Sequence, residues 1–347
     1  MLSVVVDRPN SMSVRDVPLP VPAAGEVRVK VRYAGICGSD LHIFHGKNPF
    51  VSYPRIIGHE FVGTIESVGE GVDAARLGET VAVDPVISCG HCHACTIGRR
   101  NVCRHLTVLG VHRDGGFSEY TCVPAGNAYR IPAEIADTCA AIVEPFAVAA
   151  NATSRTGVLP GDVALIYGAG TVGLTILQVL KRVYGIRAFI TDRLDARLQL
   201  ARKCGAAEDE IINTSVESLP DALEQRGVDG GPTLIFDAVC HPSILEEAVR
   251  LAAPAGRIGV LGFSSEPSAI VQAELTKKEL TLAASRLNCA MFPQVIDWIG
   301  RGLIQPEHIV THKVGFRDVA QAFEMAEQRP AESCKILLDF AGDFTGD

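Results

Sequence analysis

The chain has 347 residues, long enough for two domains with separate cores. Its apolar content is 47% and its charged content 21%, the balance of a globular protein. A net charge of −8 leaves no basic excess to neutralise phosphates, which argues against a nucleic-acid or anionic-membrane binder, and no apolar run is long enough to span a bilayer. The N-terminus, Met1-Leu-Ser-Val-Val-Val-Asp7, lacks a basic stretch followed by a long apolar core and a small-residue cleavage site, so a cytoplasmic protein is expected. Eleven cysteines in a chain of this length fit metal ligation better than a disulfide scaffold.

Glu26 to Tyr33 alternates charged and apolar residues, the pattern of a strand with one wet face. Phe61 to Val68 and Thr80 to Val83 read the same way, and the many turn residues around them predict an irregular, largely β domain. Cys89-Gly-His-Cys92-His-Ala-Cys95 follows, with Cys103 after seven more residues. Two-residue gaps let neighbouring thiolates converge on one ion, and the longer gap returns a fourth. A closed tetrahedral set of soft ligands is a structural zinc site. His91, His93 and His105 in the same lobe read as solvated, because four cysteines already fill the shell.

The pattern changes after Leu159-Pro-Gly-Asp162. Short apolar strands are predicted at Val163–Tyr167, Ala188–Thr191, Thr233–Asp237, Arg257–Leu261 and Leu280–Ala283, with helices at Thr171–Val183 and Arg193–Cys204. Such alternation predicts a doubly wound parallel sheet covered on both faces, spanning 151–287. From about Asn288 the alternation stops. Helices at Phe292–Arg301 and Val319–Gln328 and a strand at Cys334–Leu338 are expected to return to the first domain, making it discontinuous over 1–150 and 288–347.

Gly168-Ala-Gly170-Thr171-Val172-Gly173 follows a predicted strand and opens a predicted helix. The first glycine permits a tight turn, the second lets the backbone approach a pyrophosphate, and the third lets helix and strand pack closely. Asp192 stands nineteen residues beyond the last glycine, at the end of the next strand. Its carboxylate can accept the ribose hydroxyls of adenosine and would repel a 2′-phosphate, which favours NAD over NADP. Arg193 beside it works the other way, since an arginine there tolerates a 2′-phosphate.

Cys37-Gly-Ser39-Asp40-Leu-His42, Gly58-His59-Glu60 and Ile142-Val-Glu144-Pro145 are unremarkable singly. Together with the cysteine lobe and the glycine turn, they resemble the zinc-dependent medium-chain dehydrogenase/reductase superfamily of alcohol, sorbitol and threonine dehydrogenases. Gly58-His-Glu-Phe-Val-Gly63, with Gly69 and Val72 beyond, matches that family's zinc signature. The resemblance covers essentially the whole chain. It implies a Rossmann domain plus a GroES-like irregular β catalytic domain, with the reaction in the cleft between them. It implies two zinc ions per chain, one structural and one catalytic, with NAD as hydride acceptor, and a homodimer or homotetramer. Cys37, His59 and Glu144 are implied as catalytic zinc ligands, with Glu60 as an alternate. Glu144-Pro145 is the pattern of the polyol and threonine dehydrogenase branch, since classical alcohol dehydrogenases have a cysteine there. Three protein ligands leave one position for a substrate hydroxyl. Ser39 and His42 match the family's proton relay, and Asp40 its carboxylate behind the ligating histidine. Arg286 could reach the cofactor pyrophosphate or a substrate carboxylate.

A closer resemblance is to bacterial sugar-acid dehydrogenases, the group with starvation-sensing protein B and the L-galactonate and L-gulonate 5-dehydrogenases. It is carried by Gly35-Ile-Cys-Gly-Ser-Asp40, Tyr53-Pro-Arg-Ile-Ile-Gly-His-Glu60, Val83-Asp-Pro-Val86, Leu109-Gly-Val-His112, Gly115-Gly-Phe-Ser-Glu-Tyr120, Cys240-His-Pro-Ser-Ile-Leu245, Gly262-Phe-Ser-Ser-Glu-Pro267 and Ser285-Arg-Leu-Asn288. It implies oxidation at C5 of a hexonate to a keto acid. Arg113, His45, Arg286 and Asn288 are candidates to bind the carboxylate, and Phe50, Phe117 and Met291 to wall the pocket. The rival readings are a polyol (sorbitol-type) or threonine-type dehydrogenase, which share the scaffold, and a non-catalytic NAD-binding regulator.

Overall fold

The computed structural model describes residues 1–340. The chain divides into two compact units. The first comprises Met1–Glu144, Cys289–Arg301 and the chain from Val310 onward; the second comprises Pro145–Asn288 and Gly302–Ile309. Among the described residues no helix is long and apolar enough to cross a membrane.

The first unit is built on the strand Glu26–Gly35. Val27, Val29 and Val31 point into the core while Lys30 and Arg32 face water, the alternation its sequence shows. Register shifts at Arg28/Val29 and Val31/Tyr33 bend it. One end pairs with Tyr120–Pro124 and the other with Lys335–Asp339, while Glu60–Val68 runs along it throughout. Thr80–Val83 and Ala128–Arg130 extend the sheet on one side. On the other, Val310–Gly315 pairs in parallel with Lys335–Asp339, the two joined through the helix Val319–Gln328. This register places the candidate chemistry. Gly35 pairs with Glu60 and with Leu337, so the chain entering Cys37, the residue after His59 and the start of the last strand meet at one sheet end.

The second unit holds a six-stranded, wholly parallel sheet. Its strands in chain order are Val163–Tyr167, Arg187–Asp192, Ile211–Asn213, Leu234–Asp237, Arg257–Val260 and Thr281–Ala284. Across the sheet they lie third, second, first, fourth, fifth, sixth, the dinucleotide-binding order. Leu165, Phe189, Ile212, Ile235 and Ile258 form the middle of one core, packed beneath Leu219, Leu223, Ala248 and Val249.

Thr80–Val83, Val163–Tyr167 and Val319–Gln328 have the ends the sequence predicts. The predicted helix Thr171–Val183 is α-helical to Gln178 and widens into a π turn over Val179–Val183. Ile211–Asn213 is a strand with no sequence signal, because three residues are too few to show a period. The helix Gly38–Phe44 is hidden in the same way by its opening glycine and short length.

Candidate active site and cofactor site

Cys37 caps the helix Gly38–Phe44 with extended backbone, and Asp40 sits in that helix's first turn. Asp40 is wholly buried and ties two segments together. Its Oδ2 accepts the Cys37 backbone N–H at 2.9 Å, and its Oδ1 accepts the Gly58 N–H at 3.3 Å. The same Oδ1 lies 3.5 Å from His59 Nδ1. That oxygen faces Nδ1, so a neutral ring with its proton there would present the Nε2 lone pair to a ligand. Ser39 Oγ stands 3.2 Å from that Nε2. Burial by itself would lower the His59 imidazole, but the Asp40 carboxylate and Cys37 hold it well above its ordinary pKa.

Gly58 gives this segment its path. Its φ of +92° is left-handed, and a Cβ there would lie 2.1 Å from the Phe117 ring. Its carbonyl accepts the Gly116 N–H at 2.9 Å. The Gly115-Gly-Phe segment therefore serves the backbone beneath His59. Phe117 is fully buried there as core, which corrects its reading as a pocket wall.

One sulfur of Cys37, one ring nitrogen of His59 and one oxygen of Glu60 lie within 4.8 Å of one another. Thiolate, imidazole and carboxylate form a donor set suited to zinc. Glu60 and Lys335 are each 1% exposed. Lys335 Nζ donates to Glu60 Oε2 at 2.7 Å, to Oε1 at 2.9 Å and to the Ile36 carbonyl at 2.9 Å. Burial works against the ammonium charge, and Glu60 with Cys37 more than offsets it. Glu144, in the first turn of the helix Val143–Thr156, is 5% exposed. Burial pushes its carboxyl up to about 8; His59 opposes the rise and Glu60 adds to it. A dication among these groups would supply the positive charge that the Glu144 carboxylate lacks, so the residues fit a bound zinc.

His42 is exposed, three residues after Ser39 on the same helix, so the two share a face. His45 is spoken for: Nδ1 meets Asn10 Oδ1 at 2.7 Å and Nε2 meets Glu327. No ring nitrogen is left for a substrate carboxylate. Arg113 Nη2 pairs with Glu26 at 2.7 Å, which commits that candidate as well. Phe50 is 44% exposed.

In the lobe, Sγ separations are 3.6 Å for Cys92–Cys95, 3.8 Å for Cys92–Cys103 and 3.4 Å for Cys103–Cys89. A zinc with sulfur bonds of ~2.3 Å spaces its ligands ~3.8 Å apart, so the set is shaped for the ion. Backbone N–H groups of Cys89 and His105 point at Cys103 Sγ, at 3.3 and 3.2 Å, and that of Arg104 at Cys92 Sγ, at 3.5 Å. The Arg104 N–H is the main reason the Cys92 thiol falls to about 6.

In the second unit, Gly168 turns with φ +91° after the first strand, and Gly170 caps the helix Thr171–Gln178. A Cβ on Gly173 would sit 1.8 Å from the Gly168 carbonyl oxygen, whereas one on Gly170 would meet nothing within 4 Å. The helix thus packs against the turn at Gly173 and faces open space at Gly170, where Thr171 and Val172 begin its first turn. Asp192 Oδ2 accepts the Ala169 N–H at 2.9 Å; Oδ1 accepts those of Arg193 and Leu194 at 2.7 and 3.0 Å. These bonds fix the carboxylate against the glycine turn. Arg193 is exposed beside it. Arg286 follows the sixth strand with its guanidinium 5.7 Å from the Phe263 ring. Asn288 is fully buried.

Lys335 is the functional neighbour that sequence reasoning missed. Its one signal was a lone cation in an apolar strand, Cys334-Lys-Ile-Leu-Leu338.

A buried zinc-type donor set, a four-cysteine lobe and a dinucleotide-binding sheet define a zinc-type dehydrogenase. Residues 23–133 match the alcohol dehydrogenase GroES-like domain family and residues 171–301 the zinc-binding dehydrogenase family. The chain belongs to these zinc-type medium-chain alcohol dehydrogenases. It is 54% identical over 342 residues to starvation-sensing protein RspB of Escherichia coli K12, covering 98% of this chain and 100% of the relative. It is 32% identical over 338 residues to L-galactonate-5-dehydrogenase of the same strain, covering 97% and 98%. The crystal structure of the alcohol dehydrogenase rspB from E. coli CFT073 with NADH superposes with a TM-score of 0.94 at 54% identity, covering 98% of this chain and 99% of that one.

Proposed function

We propose that the protein oxidises a secondary alcohol of a sugar acid, of the L-gulonate or L-galactonate type at C5, to the keto acid with NAD as hydride acceptor. The observation that carries the dehydrogenase reading is the convergence of Cys37, His59 and Glu60 donor atoms within 4.8 Å. Glu144 is buried and interacts electrostatically with His59 and Glu60, although its oxygens are outside that group of donor atoms. Zinc held there polarises a substrate hydroxyl and lowers its pKa when bound. In this reading Cys37, His59 and Glu144 hold the ion, and Glu60, whose two oxygens accept from Lys335 Nζ, is the alternate ligand.

The chain's own groups handle the rest. Asp40 keeps the His59 proton on Nδ1. Ser39, whose hydroxyl lies 3.2 Å from His59 Nε2, takes the substrate proton and hands it to His42, which is exposed and passes it to water. The turn from Gly168 to Gly173 binds the pyrophosphate on its N–H groups, and Asp192 accepts the adenosine ribose hydroxyls. The cysteine lobe holds the second zinc. Catalytic residues fall in a discontinuous domain over 1–150 and 288–347, and cofactor residues in a domain over 151–287.

The sugar-acid assignment is supported by the resemblance to the L-galactonate relative and by the motifs shared with that group. Arg286 is the remaining candidate for the substrate carboxylate, since His45 and Arg113 are engaged elsewhere and Asn288 is fully buried. The test is NADH formation by zinc-loaded protein with L-gulonate, L-galactonate and L-idonate, each beside its neutral polyol, and with L-threonine. A clear preference for one hexonate supports the reading. Preference for a polyol or threonine moves the chain to that branch.

A further inference from the structure

The helix Val143–Thr156 carries a second side chain with a defined task. Asn151 is 1% exposed. Its side-chain amide donates to Ser285 Oγ at 3.1 Å, to the Leu287 carbonyl at 2.9 Å and, more weakly, to the Arg286 carbonyl at 3.4 Å. Two N–H protons are shared among three acceptors on consecutive residues. All four residues lie in the second unit.

The segment they grip follows the sixth strand, Thr281–Ala284, at its carboxyl end. In an open parallel sheet, ligands bind beyond that edge. The Gly168 turn leaves the first strand there and Asp192 ends the second, so the pyrophosphate and adenosine occupy the half of the edge formed by the first three strands. The nicotinamide half must then run across the fourth, fifth and sixth. Ser285 to Leu287 is the turn it meets at the far end.

That turn does not hold its own shape. Leu287 has φ +52°, a left-handed conformation that a residue with a Cβ adopts only when its surroundings impose it. The Ser285 N–H is tied to the Val260 carbonyl at 2.9 Å, which anchors the start of the turn to the fifth strand. Asn151 supplies a restraint on the rest. By engaging the carbonyls of Arg286 and Leu287, it turns them toward the helix and sets which backbone groups remain to face a ligand.

We infer that Asn151 is a positioning residue that holds the Ser285–Leu287 turn as the platform for the nicotinamide half of the cofactor. The inference rests on the NAD reading above. It assigns Asn151 no contact with the reacting atoms, only control of the turn that makes one.

The experiment compares NADH with ADP-ribose, which lacks the nicotinamide ring. Both are titrated by fluorescence and calorimetry into wild-type protein, Asn151→Ala and Asn151→Asp, with melting curves for each. The Ala variant removes the donors, and the Asp variant keeps the shape but turns an acceptor on the two carbonyls. The expected result is NADH binding weakened by roughly tenfold or more with ADP-ribose binding unchanged within about twofold, as for loss of one or two buried hydrogen bonds. Equal NADH affinity in all three proteins overturns the inference. So does a parallel loss of both ligands, or failure of both variants to fold, since either makes Asn151 a general packing residue. Failure of wild-type protein to bind NADH is a separate result that refutes the cofactor reading itself.

Discussion

Lys335 grips both carboxylate oxygens of Glu60, at 2.7 and 2.9 Å, with neither side chain more than 2% exposed. Removing one partner of such a pair strands a charge in the core. Lys335→Met is expected to destabilise the protein by roughly 3–5 kcal/mol, and adding Glu60→Gln to recover much of that loss, because the second change removes the stranded charge. Urea unfolding of the two variants checks this. A loss below about 1 kcal/mol in the single variant would mean Glu60 finds another cation or a proton at little cost.

The glycine turn makes a steric prediction. A methyl at Gly173 would lie 1.8 Å from a backbone oxygen, which cannot swing aside as a side chain can. Gly173→Ala is therefore expected to cost about 1–3 kcal/mol of stability and to weaken NADH binding by at least roughly tenfold, since the helix start must move away from the turn. Gly170→Ala meets open space and should fold normally while losing NADH affinity, because in the proposed cofactor site the methyl would stand where the pyrophosphate approaches. Unchanged NADH affinity in both would remove this turn from the cofactor site.

Cys95→Ser tests the independence of the two metal groups. The variant should hold about one zinc per chain in place of about two, with a lowered melting temperature, while the ion at Cys37 and His59 stays bound. Metal analysis after gel filtration reads the stoichiometry. Loss of both ions together would show that the lobe is needed to form the other site.

The raised Glu144 carboxyl gives a pH dependence with a definite sign. Its pKa is about 8 in the folded, metal-free chain against an ordinary 4.5. Between those values the folded protein keeps a proton that the unfolded chain releases, so raising pH favours unfolding. This group's contribution is fully present below about 4.5, is lost progressively as pH rises, and is gone above about 8, with a slope of at most about 1.4 kcal/mol per pH unit. Metal-free protein should therefore lose stability from about pH 5 to 8, and Glu144→Gln should flatten that decline. Parallel curves for wild type and variant would mean Glu144 is ionised in the folded state.

Much of this was legible in the residues because the chemistry is local. The cysteine spacing from Cys89 to Cys103 and the glycine spacing from Gly168 to Gly173 are short-range constraints, and the structure shows their cause in Sγ separations under 4 Å and a Cβ clash at Gly173. The parallel sheet showed in its apolar strands. The partners that came from afar did not show. Lys335 stands 275 residues from Glu60, and Asn151 stands 136 from Leu287. Only the register of Gly35 with Glu60 and Leu337 brings the first pair together. The engagement of His45 by Asn10 and Glu327, and of Arg113 by Glu26, was invisible for the same reason, so two of the four carboxylate candidates fell to contacts that sequence order does not reveal.

The most direct test of the proposed activity is NADH formation from NAD and a hexonate before zinc removal, after the catalytic zinc is stripped by a chelator, and after zinc is restored. Stoichiometry is measured at each stage. The account predicts that turnover disappears as bound zinc falls from about two ions per chain to about one, and returns when the second is replaced. Turnover that persists with the Cys37 and His59 site empty would contradict it.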